Sequence, residues 1–403
     1  MNQAEEFVAQ RCSRTFLSLW SYPNPVAKKG KELCDCLVVC DPDMIIISVK
    51  EIAVTESGDV GTDWDRWKRK AIEASVKQIY GAERALRSTS HVTTKDGAKG
   101  LHLPDVAVRK VHRIAVALGS QGKIPLTYGD FGKGFVHVMD EQSFAVILTE
   151  LDTITDVVKY LRAKEDFLGR NVNVILDGCG EEALLALYLN RGRRFQNDGD
   201  IISLCGNIWK TFSSGAAYLR KKEADKQSYI WDRMIEEFCE SKCGETLLGR
   251  GNLDSMDRAI RTMARENRFD RRVLAKSFLG FLLASKNKDV RARMCRSPGG
   301  TSYVFLACPN DTPRDARRLE LSLRCFVVRG EIPDQPTVIG IATERPGQTG
   351  HSLDLVYLHI PDWTKEAAVQ AKVIQRERGY FASPLVRHSS EDEYPEEFGE
   401  HNA

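Results

Sequence analysis

A chain of 403 residues is too long for one small domain, and two or three domains are expected. Its 58 Lys and Arg stand against 56 Asp and Glu, and a net charge of +2 excludes a global basic field as the means of holding nucleic acid. Eleven cysteines without regular spacing suit a reducing cytosol, and no apolar run approaches the roughly 18 residues of a membrane span, so a soluble cytoplasmic protein is expected.

Residues 4–16 carry Ala4, Val8, Cys12 and Phe16 at four-residue steps and read as an opening helix, not a signal peptide, since Glu5 and Glu6 precede any apolar run. Residues 17–22 read as a first strand, ended by Pro23 and Pro25. Two apolar strands follow, 33–40 and 44–50, joined by a turn at Asp41-Pro42-Asp43. Both faces of both strands are apolar, as in strands covered on two sides. Asp35 and Lys50 interrupt that pattern. A lone buried charge is costly, so each calls for a partner, a metal or a wet cleft. A four-residue turn from Asp41 to Met44 sets Asp35 opposite Lys50 on one face; a slip of one residue separates them.

Beyond a loop at 57–61, Thr62-Asp63-Trp64-Asp65 reads as the capping box of a helix running to about Leu86. Trp64, Trp67, Ala71, Ile72, Ala74, Ile79, Ala82 and Leu86 share one arc, with Ser75 and Gln78 set inside it. Polar groups on an apolar face meet either a polar site or nearby backbone. Arg66, Arg69, Lys70 and Lys77 lie outside the arc, as phosphate contacts or as a solvated face.

Residues 88–99 read as a mobile loop, 111–118 as a core strand, 129–134 as a hairpin turn, 135–139 and 144–148 as strands, and 152–162 as a helix. From 181 to 294 the pattern is mostly helical, and residues 181–300 hold 23 Lys and Arg against 16 Asp and Glu. Arg258, Arg261, Arg265, Arg268 and Arg272 follow three- and four-residue steps, as a nucleic-acid-facing stripe or a salt-bridged surface. A last unit has strands at 302–308, 337–343 and 353–360 and helices at 313–328 and 363–378. Its Glu344, His351, Asp354 and His359 read as surface residues. The expected division is 1–170, a helical Arg-rich module 171–297, a small α/β domain 298–385, and an acidic, disordered tail 386–403.

An Asp in one strand, followed by a hairpin return ending in Ser48-Val49-Lys50, resembles the PD-(D/E)xK, or restriction-endonuclease-like, nuclease superfamily over the first 140 to 170 residues. The resemblance implies an α/β fold of the mixed α+β kind with an αβββαβ core. It implies Mg²⁺ or Mn²⁺ held by Asp35 and the Val49 carbonyl, Lys50 acting on the attacking water, Ser48 as a polar neighbour and Gln78 as support. Ser48 stands where the family has an acid. Some type II restriction enzymes relocate that acid to the following helix, which makes Asp63, Asp65 and Glu73 candidates here, with Glu51 and Glu32 behind them. Glu5 or Glu6 falls where the family often keeps an acid on its first helix; the competing reading is a solvated first-turn acid favouring the helix dipole. The implied function is a metal-dependent endonuclease acting on DNA in prokaryotic genome defence or DNA processing. Nucleic acid is the implied partner, with a protein partner or second copy beside it and no membrane. The alternatives are an inactive nuclease-like module that binds nucleic acid or scaffolds an assembly, and a plain adaptor.

Overall fold

The computed structural model describes residues 2–27, 30–55, 57–120, 126–170, 172–196, 201–243, 253–286, 291–347, 352–381 and 391–395. The chain divides into two compact units, Met1–Gly215 and Ala216–Ala403. The first opens on α1 (Gln3–Phe16), β1 (Ser21–Pro23), β2 (Cys36–Cys40), β3 (Asp43–Glu51), α2 (Val60–Lys68) and α3 (Ala74–Leu86). It continues with β4 (His91–Thr93), β5 (Lys99–His102), β6 (Lys110–Leu118), β7 (Gly129–Asp130), β8 (Phe135–Met139), α4 (Glu141–Glu150) and α5 (Ile154–Leu168). A short βαβ unit ends it: β9 (Asn173–Asp177), α6 (Glu181–Asn190) and β10 (Ile201–Cys205), followed by α7 (Ile208–Ser213).

The main sheet has the order β1-β2-β3-β6-β8-β7. β1, β2 and β3 run antiparallel in turn, β6 lies parallel to β3, and β8 parallel to β6. The fold is therefore mixed α/β. α1 begins at an Asn2 capping box and buries Ala4, Val8, Cys12 and Phe16, as its four-residue steps predict. β2 is buried throughout and β3 through Val49, in keeping with cover on both faces. Side chains alternate across β3: Met44 and Ile46 join the core beneath α2 and α3, while Asp43 and its alternates face the other way.

The turn is tighter than the sequence predicts. Cys40 pairs with Asp43, so only Asp41 and Pro42 form the connection, through a cis peptide. The cause lies at long range. Asp43 is 1% exposed and bonds His112 Nε2 of β6 at 3.0 Å and the Arg162 guanidinium of α5, so it belongs to the strand. The register consequently moves by two residues and sets Asp35 across from Ser48, not Lys50. A shift of two preserves the face.

α2 is capped by Asp59, which accepts from the Gly61 N–H, three residues ahead of the predicted Thr62 cap. Between α2 and α3 lies one π turn, Arg69–Glu73. It delays the helical phase, so Ala74 of the predicted arc is exposed and Val76 is buried in its place. Residues 144–148, predicted as a strand, lie in α4, whose N-cap Asp140 accepts from the Ser143 N–H; a short buried apolar run fits either structure. The predicted loop at 88–99 contains β4 and the start of β5, a small hairpin. Below the sheet, Lys164 of α5 is fully buried and bonds both Glu181 oxygens at 2.5 Å, with Tyr160 donating to the same carboxylate at 2.7 Å.

The second unit contains α8 (Ala216–Asp225), α9 (Tyr229–Cys243), α10 (Leu253–Ala264), α11 (Arg268–Lys286), β11 (Ala292–Arg296), β12 (Ser302–Cys308), α12 (Arg314–Glu331), β13 (Thr337–Glu344), β14 (Leu353–His359) and α13 (Lys365–Arg378). Its sheet runs β11-β12-β13-β14, parallel only between β12 and β13, so it starts ahead of the expected boundary at 298. The proposed arginine stripe breaks between α10 and α11. Arg268 is buried, bonds Asp232 at 2.9 Å and stacks on Tyr229; Arg271 and Arg272 are buried on Asp232 and Asp225; Arg261 pairs with Asp257. The pairs of Arg268, Arg271 and Arg272 are core ion pairs, not a face for nucleic acid, and Arg261–Asp257 is a half-buried pair one turn apart on α10. Asp354, expected at the surface, is fully buried under Arg314, Arg317 and Arg318. His351 and most of the acidic tail lie outside the described residues; Glu391 of the tail pairs with Lys276.

Candidate active site on the second hairpin

The site is built where β2 begins. Asp35 precedes the first ladder pair and substitutes its side chain for the missing backbone bond: the Val49 N–H donates to Asp35 Oδ2 at 2.7 Å, while the Asp35 N–H donates to the Ile47 carbonyl. The N–H and C=O of one strand residue leave the same edge, so the Val49 carbonyl also points toward the Asp35 side of β3. Ser48 and Lys50 share the α3 face of β3 with Asp35. Gln78, one of the polar residues inside the predicted arc, reaches down from α3, and the Ser48 hydroxyl donates to its Oε1 at 3.0 Å. Ser48 has one proton and two acceptors in reach, Gln78 and Asp35. Ser75, the other residue, donates to the Ala71 carbonyl of its own helix.

Asp35 is 3% exposed, and burial holds its carboxyl above the usual range. The Val49 N–H, the Lys50 ammonium and the Ser48 hydroxyl oppose that rise, and the negative charge of Glu5 adds to it. Asp35 thus faces one cation and one second acid, both within electrostatic reach. That acid comes from α1.

Asn24, between Pro23 and Pro25, holds the acidic side together. Its N–H donates to the Asp35 carbonyl, and its Nδ2 donates to Glu5 at 3.2 Å and to Glu32 at 3.3 Å. It is buried, adopts a left-handed backbone at φ 46°, and its Oδ1 has no partner. Sequence reasoning missed this residue; an Asn locked between two prolines, beside the strand that carries the acid, was the available signal.

The acids proposed on the following helix lie elsewhere. Asp63 accepts the Ser57 N–H at the start of α2, Asp65 is exposed, and Glu73 lines a separate cleft with Lys77. Glu51 is exposed at the end of β3. Arg69, Lys70 and Lys77 are exposed on the outer helix face and Arg66 is half-buried.

Among the described residues no three His, Cys, Asp or Glu side chains gather as a metal cluster. The oxygen donors around Asp35 are fewer: the Asp35 and Glu5 carboxylates, the Ser48 hydroxyl and the Val49 carbonyl edge, with an unpartnered Asn24 Oδ1 beside Glu5. An all-oxygen set with two carboxylates fits Mg²⁺, which keeps much of its water, and does not fit a dehydrated cage or a thiophilic ion. The chain matches no family model, no curated protein and no solved structure. Among the described residues no helix is long and apolar enough to cross a membrane.

Proposed function

We propose that the first unit is a metal-dependent endonuclease of the PD-(D/E)xK kind, hydrolysing phosphodiester bonds, with DNA as the first substrate to test and genome defence or DNA processing as its setting. The observation that carries the reading is the placement of Asp35 and Lys50 on one sheet face, within electrostatic reach but not in contact, with Ser48 and Gln78 bonded to each other beside them. The order α1, β1, β2, β3, α2/α3, β6, with β6 parallel to β3, is the order the resemblance implies and supports it further.

Asp35 and Glu5 would hold Mg²⁺ or Mn²⁺, with Ser48 and the Val49 carbonyl as further oxygens. A hard cation there supplies Lewis acidity at the phosphate and a lowered pKa for a bound water. Lys50 orients the attacking water and neutralises developing charge on the phosphate, since an ammonium in a partly dry site acts more strongly than in bulk water. Gln78 fixes the Ser48 hydroxyl. Asn24 positions Glu5 and the Asp35 backbone.

A second reading, nucleic-acid binding without cleavage, is favoured by the small number of carboxylates at the site. One assay separates the two. Linear and supercoiled DNA and RNA are incubated with the full chain in Mg²⁺, Mn²⁺ or EDTA, beside Asp35→Ala, Lys50→Ala and Glu5→Gln. Cutting that needs the metal and falls by about a hundredfold or more in each variant is the expected result. Salt-sensitive binding without cutting selects the second reading, and cutting that survives Asp35→Ala removes the assignment.

A further inference from the structure

Between α3 and the turn joining β7 to β8 lies an open cleft of about 490 Å³. Lys77, Arg84 and Lys133 line it against a single acid, Glu73, and the rings of Tyr80 and Phe131 form its apolar wall. The Tyr80 hydroxyl donates to the Gly134 carbonyl at 2.6 Å, which fixes the ring and ties the helix to the turn. Asp130 Oδ1 accepts the N–H groups of Gly132 and Gly134, so those amides are spent on holding the turn, and the turn offers the Lys133 side chain instead.

Gly81 completes the cleft. It lies inside α3, where glycine weakens a helix relative to alanine, yet a Cβ built there meets no atom within 4 Å. Neither crowding nor a left-handed backbone calls for glycine at this position. Its effect is to leave the cleft open between the three cations and the two rings.

We infer that this cleft binds a single-stranded segment of nucleic acid, with phosphates against Lys77, Arg84 and Lys133 and a base against Phe131 and Tyr80. Cationic side chains beside aromatic faces are the combination that takes up single strands without regard to sequence. The cleft and the site share α3 but use different sides of it, Lys77 facing the cleft and Gln78 reaching Ser48. The inference rests on the nuclease reading for its purpose, but its chemistry is separable from it.

The test is fluorescence anisotropy of a labelled oligothymidylate titrated with the full chain in EDTA, where metal-dependent cutting is blocked. Three phosphate contacts predict a slope of log affinity against log salt of about −2. The paired change Lys77→Glu with Arg84→Glu, and separately Gly81→Leu, each weaken binding by about tenfold or more while the melting temperature and circular dichroism stay at parental values. Lys133→Ala, on the exposed turn, serves if either helix variant fails to fold, and lowers the slope by about 0.7. Folded variants that bind as the parent does, or a parent that does not bind the oligomer, overturn the inference. Cutting by the parent alongside unaffected binding in the variants removes the cleft and leaves the nuclease. Binding lost in the variants, with no cutting by the parent in any metal, does the reverse.

Discussion

Replacing Lys164 by methionine isolates one buried ion pair whose removal the structure makes costly. Lys164 is fully buried, its ammonium bonds both oxygens of Glu181 at 2.5 Å, and it lies 4.6 Å from the Tyr128 ring centre. Methionine fills similar volume, so little cavity forms; what changes is that the buried Glu181 carboxylate loses its cation and, among the described residues, keeps the Tyr160 hydroxyl. Leaving one buried partner uncompensated costs about 3–5 kcal/mol. For a unit of this size that is about 6–20 °C in melting temperature. Glu181→Gln added to Lys164→Met removes the stranded charge and retains an acceptor for Tyr160, so the double variant regains more than half of the loss. Calorimetry of the full chain resolves the transition of the first unit in parent, both singles and the double. A single variant melting within about 2–4 °C of the parent, equivalent to only about 1 kcal/mol, refutes the reasoning, and so does a double variant no more stable than Lys164→Met.

Three further outcomes follow from the same physics. Asp35→Asn stabilises the first unit by about 0.5–2 kcal/mol and, on the proposed nuclease reading, abolishes cutting. Because burial raises the Asp35 carboxyl above its unfolded value, the stability it contributes is full at low pH and lost as pH rises through its folded pKa, so the advantage of Asp35→Asn in urea unfolding is larger at pH 8 than at pH 4. Glu266 is pushed up to about 7 by burial and then by the charge of Asp270, so the stability of the second unit falls as pH rises from about 4.3 through about 7, and Glu266→Gln flattens that profile in the same measurement. Arg268→Ala destabilises the second unit by about 1–3 kcal/mol in calorimetry, because Asp232 loses one of its two arginines, and leaves oligonucleotide affinity unchanged.

The face carrying Asp35, Ser48 and Lys50 was legible because a strand's period of two survives a register error of two. The register itself was not, since it is set by Asp43 meeting His112 and Arg162 at separations of 69 and 119 residues. Gln78 stood out as a polar residue on an apolar arc, but the arc slipped at Ala74, because nothing in the sequence marks the π turn at Arg69–Glu73. The arginine spacing read as a surface stripe because Asp225 and Asp232, which bury Arg272, Arg268 and Arg271, lie 36 to 47 residues upstream. Glu5 read as a first-turn acid and is one, closing the capping box with Asn2; its further bond from Asn24, which also holds the Asp35 carbonyl, is a tertiary fact.

The two charged residues at the heart of the site belong to stretches of backbone with unequal freedom. Lys50 rides on β3, which stays paired with β6 as far as Glu51 although its ladder with β2 ends at Ile47, and amide protons in such a ladder exchange only when the sheet opens. Asp35 sits ahead of the β2–β3 ladder and hangs from Val49 and Asn24 by a few bonds. On the nuclease reading, adjustment to a bound phosphate therefore falls to the carboxylate side, and slowed deuterium uptake on oligonucleotide binding appears first at Asn24 and Asp35, ahead of the β3 amides paired with β6.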